Sequence, residues 1–156
     1  MEMTVREFNL DQLESLVDEV LKRLKLVSSS GATVIALQGD LGAGKTTFVQ
    51  ALGRRLGVGE VITSPTFTIL KSYETTDSDF HTLLHMDAYR IDDEAELGPL
   101  RFAELLATAH ALFCIEWPEK ITGALKAPHL TIHLTGVDET TRSAHISESP
   151  VNGAPL

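Results

Sequence analysis

A glycine-rich segment that ends in a lysine and a threonine carries the clearest chemistry in the sequence. Residues 39–46, GDLGAGKT, fit the phosphate-binding pattern G-x-x-x-x-G-K-[ST] in full, between a predicted strand and a predicted helix. The glycines let backbone N–H groups turn toward phosphate oxygens, and the helix N-terminus adds a partial positive charge. We expect Lys45 to reach the β and γ phosphates and the Thr46 hydroxyl to coordinate Mg²⁺. The predicted nucleotide-binding residues are Gly39, Asp40, Leu41, Gly42, Ala43, Gly44, Lys45, Thr46 and Thr47.

Two carboxylates at the ends of apolar runs are candidates for the rest of a catalytic site. Asp87 follows LLHM and Glu116 ends ALFCIE, so both should stand at the sheet edge where ligands gather. Either could bind Mg²⁺ directly or through water, and Glu116 could instead polarise an attacking water. The alternative for each is a solvated acid at a strand end. His85, two residues before Asp87, is expected to support that carboxylate.

A third candidate and the nucleotide base complete the predicted site. Thr66, in SPTF, could sense the γ-phosphate or its metal as switch loops do, or it could simply begin a strand.

Neither Asn9 nor Asn152 is followed by Lys, so the guanine-reading motif N-K-x-D is missing and ATP is favoured over GTP. Trp117, next to Glu116, could form an apolar wall near the nucleotide. The predicted cofactors are ATP or ADP and Mg²⁺, and the predicted catalytic set is Lys45, Thr66, Asp87 and Glu116.

The elements that must position these residues alternate between strands and helices. The polar turn ETTDSD joins two of the strands, and so short a connection favours an antiparallel hairpin. We predict an α/β protein with the three-layer fold of P-loop NTPases, a mixed central sheet, one domain over residues 1–147 and a flexible tail over 148–156. The predicted strands cover 4–8, 32–38, 66–73, 80–87, 111–116, 129–134 and 142–147, and the predicted helices cover 13–24, the stretch from the glycine loop to 56, 92–97 and 101–110.

Composition and charge exclude several other classes of protein. The net charge is −9, and residues 76–156, with five Lys and Arg against thirteen Asp and Glu, hold −8 of it. Binding to DNA or directly to RNA draws on a basic surface, so neither is expected. We expect no secretory signal, because the first residues, MEMTVREFNLDQ, include acidic residues and no apolar core, and no apolar run reaches membrane-spanning length. The single cysteine, Cys114, lies in an apolar run and is predicted to be buried, which favours a reducing, cytoplasmic location.

Four motifs, in this order and spacing, resemble the bacterial TsaE family, the small ATPase of tRNA threonylcarbamoyladenosine biosynthesis. They are GDLGAGKTT, ITSPTFTILKSYE, HMDAYR and IEWPEK, spread over residues 39–120. Carried over by position, the resemblance implies that Lys45 and Thr46 are the phosphate and Mg²⁺ residues. It also implies that Asp87 is the acid of H-x-D, Glu116 the metal-linked acid and Thr66 the threonine of a switch-like segment.

The resemblance further implies a role within a larger assembly. A family member is a weak ATPase that joins the partner proteins TsaB and TsaD and is needed for repeated threonylcarbamoyl transfer to adenosine 37 of tRNAs that read codons starting with A. The transfer itself belongs to TsaD, and the tRNA is reached only indirectly. Two other hypotheses stay open: an adaptor in which ATP orders an interaction surface without turnover, and a small-molecule kinase. The kinase is disfavoured because few basic residues follow Trp117.

Overall fold

A mixed sheet of seven strands, in the order β1-β7-β6-β2-β5-β4-β3, forms the centre of the molecule. The computed structural model describes residues 3–27, 29–65, 68–125 and 128–148. The strands are β1 (Met3–Phe8), β2 (Thr33–Gln38), β3 (Leu70–Glu74), β4 (Thr82–Asp87), β5 (Ala111–Glu116), β6 (Leu130–Gly136) and β7 (Arg142–Glu148).

The middle of the sheet is parallel and its two sides are antiparallel. Strand β2 pairs in parallel with β5 on one side and β6 on the other, and β5 pairs in parallel with β4. The β3–β4 and β6–β7 pairs are antiparallel, as predicted, and β1 closes the sheet against β7. Because β2 connects to strands on both of its sides, its carboxyl end opens onto a crevice of the kind in which α/β proteins bind ligands.

Helices cover both faces of the sheet and complete three layers. Helices α1 (Leu13–Lys25) and α2 (Lys45–Leu56) pack together on one face, where their apolar residues recur at helical spacing. Helix α3 (Phe102–Leu106) and two 3₁₀ turns, Glu94–Leu97 and Pro118–Ile121, lie with the apolar cluster of the other face. This arrangement confirms the predicted fold class. Within the described ranges, no helix is long and apolar enough to cross a membrane.

Three of the elements predicted after the glycine loop are longer than those in the structure. The strand predicted over 66–73 starts only at Leu70, because Ile69 has a φ of 66° and its N–H donates to the Pro65 carbonyl. The helix predicted over 101–110 spans only α3, since Arg101, with a φ of 55°, precedes it and Ala107 ends it. The helix predicted over 92–97 is the 3₁₀ turn, with a capping box between Asp93 and Glu96.

Strand β7 ends one residue later than predicted, and the single cysteine lies in the core. Strand β7 includes Glu148, which the sequence placed in the tail, and residues 149–156 lie outside the described residues. Cys114 is fully buried in β5, as predicted, and burial raises the pKa of its thiol.

Candidate active site

The glycine loop connects the carboxyl end of β2 to the first residue of α2. Gly39, Gly42 and Gly44 have φ angles of 148°, 80° and 107°, which residues with a side chain rarely adopt. A Cβ atom at Gly39 would also stand 2.7 Å from the carbonyl oxygen of Leu134. The loop conformation therefore depends on glycine, and it leads directly into the amino end of α2, where the dipole favours an anion.

Lys45 is buried at the base of this loop, with only 5% of its surface exposed. Its ammonium donates to the carbonyl oxygens of Gly39 and Asp40, the latter at 3.0 Å, and lies 4.3 Å from the ring centroid of Trp117. Burial lowers the pKa of Lys45, and the nearby Glu116 carboxylate opposes that shift. The ammonium is thus held inside the loop by neutral partners, two carbonyl oxygens and an aromatic ring.

The two predicted carboxylates stand side by side at the ends of β4 and β5. Asp87 and Glu116 are paired in register and are 7% and 3% exposed. The Thr46 hydroxyl, in the first turn of α2, donates to Glu116 Oε2 at 3.0 Å. Acids at strand ends that are merely solvated, the alternative for both residues, would not be buried to this extent. The structure brings Thr46 and both acids to the loop that holds Lys45.

Asp87 lies in an environment that disfavours its ionised form. Burial raises the pKa of this carboxyl, and the neighbouring Glu116 charge raises it further. The backbone N–H of Tyr89 donates to Asp87 Oδ1 at 2.9 Å and acts in the opposite direction. Two adjacent buried carboxylates accumulate negative charge that a cation would neutralise.

The donor set fits a magnesium ion that is held jointly with phosphates. Within the described ranges, no three His, Cys, Asp or Glu side chains are grouped to hold a metal by themselves. Mg²⁺ is usually bound by one or two carboxylates together with substrate phosphates and water. Thr46, Glu116 and Asp87 supply a hydroxyl and carboxylate oxygens of that kind beside a loop that can bind phosphate.

Trp117 has a left-handed backbone, with a φ of 59°, and its indole faces the loop. The indole lies against Lys45 on one side and contacts Tyr89 on another, with 4.9 Å between the ring centroids. A left-handed conformation costs a residue of this size about 1–3 kcal/mol. The structure therefore stores strain at the position that the sequence singled out as an apolar wall.

The other predicted residues have different surroundings. Asp40, Leu41 and Thr47 are exposed along the loop, and Ala43 is buried. Thr66 lies outside the described residues, so its proposed switch role stays a prediction.

His85 has a partner that the sequence did not indicate, besides the one expected. Its Nε2 atom lies 2.5 Å from Glu116 Oε2, and the expected link to Asp87 is present as an electrostatic interaction that acts to lower the pKa of that carboxyl. Residues 85 and 87 do share a face of β4, but the parallel register places Cys114 opposite His85 and puts Glu116 two residues further along β5. This diagonal contact between β4 and β5 depends on the register of the two strands, which cannot be determined from the sequence.

A cleft of about 510 Å³ adjoins the outer side of the loop. Sequence reasoning missed it, because its walls come from distant parts of the chain: the end of β1 and the turn after it, the loop, and the β6–β7 hairpin. No motif marks such a combination. Its lining residues include Asn9, Leu10, Gly42, Gly44, Thr47, Thr140 and Arg142.

The three-layer fold and the glycine loop after its central strand define a protein of the P-loop α/β class. The family model described as threonylcarbamoyl adenosine biosynthesis protein TsaE matches residues 9–144. The chain therefore belongs to the TsaE family, which takes part in tRNA threonylcarbamoyladenosine biosynthesis, and the resemblance of its motifs is confirmed.

Individual relatives agree with this assignment along most of the chain. The tRNA threonylcarbamoyladenosine biosynthesis protein TsaE of Nostoc sp. is 34% identical over 153 residues, covering 93% of this chain and 92% of the relative. The protein of the same name from Aquifex aeolicus is 35% identical and covers 84% and 85%. The crystal structure of Bacillus subtilis YdiB shares the fold, with a TM-score of 0.70 at 24% identity over 94% of this chain and 86% of that one.

Proposed function

We propose that this chain is a cytoplasmic ATP-binding, Mg²⁺-dependent ATPase subunit of tRNA threonylcarbamoyladenosine biosynthesis. The observation that carries the proposal is the convergence of Lys45, Thr46 and Glu116 at the glycine loop, with a 3.0 Å hydrogen bond between the last two. Phosphoryl transfer to water requires mostly positioning and charge neutralisation, and this set of residues supplies both.

Each residue has a role that follows from its contacts. The loop N–H groups would hold the phosphates, and the Lys45 ammonium would exchange its carbonyl partners for phosphate oxygens. Thr46 and Glu116 would hold Mg²⁺, with Asp87 beside them; the ion neutralises phosphate charge when bound. A hydrolytic water would lie near Glu116 or Asp87, the two carboxylates that can accept its hydrogen bond.

The cleft next to the loop is our proposed site for the ribose and base. It touches Gly42, Gly44 and Thr47, so a nucleotide with its phosphates in the loop could extend into it. Its volume of about 510 Å³ falls within the common range for small-ligand sites, roughly 300–1,000 Å³. The polar groups of Asn9, Thr140 and Arg142 would contact the ribose and base.

We further propose that the chain acts on tRNA through the TsaB and TsaD proteins, with the threonylcarbamoyl transfer performed by TsaD. The sequence is acidic, with a net charge of −9. Several of its basic side chains are already in ion pairs, among them Arg23 with Glu19 and Lys25 with Asp77. Such a surface offers little for direct binding to RNA phosphates, which favours indirect access to the tRNA.

Turnover measured with and without the partners tests this proposal. We expect slow hydrolysis of ATP by the chain alone, faster hydrolysis with TsaB and TsaD, and no hydrolysis when EDTA removes the metal. Equal rates with and without the partners would refute the coupling. Tight ATP binding with no turnover in either condition would support the adaptor instead of the ATPase.

A further inference from the structure

His85 is a buried polar residue between apolar neighbours in β4. Its exposed fraction is 0%, and its neighbours in β4, Leu84 and Met86, are buried hydrophobic residues. The imidazole Nε2 lies 2.5 Å from Glu116 Oε2. An apolar side chain would fill this position without the cost of burying an imidazole, so the contact with Glu116 needs a reason beyond packing.

The proton of the imidazole can be placed from its surroundings. The Nε2 atom of His85 lies beside Glu116 Oε2, an acceptor. The buried Nδ1 atom has no hydrogen-bond partner within the described part of the chain. A proton on Nδ1 would be buried without an acceptor, so the geometry favours a proton on Nε2. His85 is therefore a hydrogen-bond donor to the carboxylate.

Two donors meet on the same oxygen of Glu116. Oε2 accepts from His85 at 2.5 Å and from Thr46 at 3.0 Å, while Oε1 has only a longer contact of 3.3 Å with Thr46. Holding one oxygen from two sides fixes the orientation of the whole carboxylate. The lone pairs of Oε1 are then left for a metal or a water.

We propose that His85 is a positioning residue for Glu116: its Nε2–H fixes the carboxylate so that the second oxygen faces the metal site. This inference rests on the proposed function. Ligands of a metal commonly depend on such outer partners, and their removal costs about 10- to 100-fold in metal affinity or activity.

Three variants of His85 separate positioning from packing. In His85→Gln the side-chain amide keeps an N–H donor near the place of Nε2. His85→Leu fills the space without a donor, and His85→Asn keeps an amide that is too short to reach Glu116. The control is His133→Leu, because His133 is exposed on β6. Circular dichroism establishes which variants fold, and His85→Asn replaces His85→Leu if the latter does not.

The readouts are ADP binding by calorimetry, in EDTA and over a Mg²⁺ titration, and ATP turnover. In EDTA, we expect His85→Leu to bind ADP as the parent does. In the titration, it should need about 10- to 100-fold more Mg²⁺ to reach half of the Mg²⁺-dependent change in ADP affinity. Its kcat should fall more than its KM changes. His85→Gln should recover most of the Mg²⁺ response, and His133→Leu should match the parent.

Two results would overturn the positioning role. One is a Mg²⁺ response in His85→Leu or His85→Asn that equals that of the parent. The other is a loss of Mg²⁺ response in His85→Gln as large as that in His85→Leu, which would indicate packing alone. A parent protein that binds no ADP, or that shows no response to Mg²⁺, would instead refute the proposed function on which the inference rests.

Discussion

Replacing Lys45 with Met removes the buried cation of the glycine loop while keeping a side chain of similar length. In the structure the ammonium contacts the Gly39 and Asp40 carbonyls and the Trp117 ring. Phosphate oxygens, which carry full negative charge, are stronger acceptors than these carbonyls. Lys45 should therefore contribute to nucleotide affinity by exchanging weaker partners for stronger ones.

The size of the effect follows from that exchange. A hydrogen bond to a charged group contributes about 1.5–3 kcal/mol, which corresponds to about 10- to 150-fold in Kd. The stability of the nucleotide-free protein should not fall. Burial already lowers the pKa of Lys45, and a Met side chain can pack against Trp117 without the cost of a desolvated charge.

The assay is calorimetric titration of ADP and ATP into Lys45→Met, with thermal unfolding measured in parallel. The control is Lys22→Met, since Lys22 is exposed on α1, and this variant should bind nucleotide as the parent does. A Kd for Lys45→Met within a factor of two of the parent would refute the assigned role. So would a loss of affinity accompanied by a Tm drop of more than about 4 °C, the shift expected for 1 kcal/mol in a domain of this size.

Three further variants probe the carboxylates and the loop. Glu116→Gln should keep ADP affinity within a few-fold and lower ATP turnover by at least about 100-fold; normal turnover would contradict the catalytic assignment. Asp87→Asn should stabilise the nucleotide-free protein by about 1 kcal/mol at pH 7, measured by chemical unfolding. Because burial raises the pKa of Asp87, its ionised form opposes folding, and the gain should shrink as the pH falls toward 3.8, the ordinary value; a gain that is constant with pH would argue against this cause. Gly39→Ala should abolish nucleotide binding and cost about 1–3 kcal/mol through its φ of 148° and the close Leu134 carbonyl, whereas Gly59→Ala, with open space around it, should change neither.

The sequence predicts most of the elements that position the site, because each has a local signal. The apolar run before Gly39 and the helical spacing after Lys45 place the loop between β2 and α2. The ends of two apolar runs place Asp87 and Glu116 at one edge, since the carboxyl ends of parallel strands meet there.

What the sequence could not predict depends on backbone conformation and on register. Ile69 and Arg101 adopt positive φ angles that no local pattern announces, and they shorten a strand and a helix. The contact of His85 with Glu116 requires the register of β4 against β5. The cleft beside the loop joins segments that are far apart in sequence.

Trp117, whose backbone is left-handed, gives the protein an internal fluorescent probe. Trp117 is the sole tryptophan of the chain, and its indole ring lies 4.3 Å from the Lys45 ammonium. Indole emission responds to a charge this close, so we expect a displacement of Lys45 to shift its wavelength. Emission excited selectively in the tryptophan therefore reports, without a label, on a single place: the phosphate end of the glycine loop.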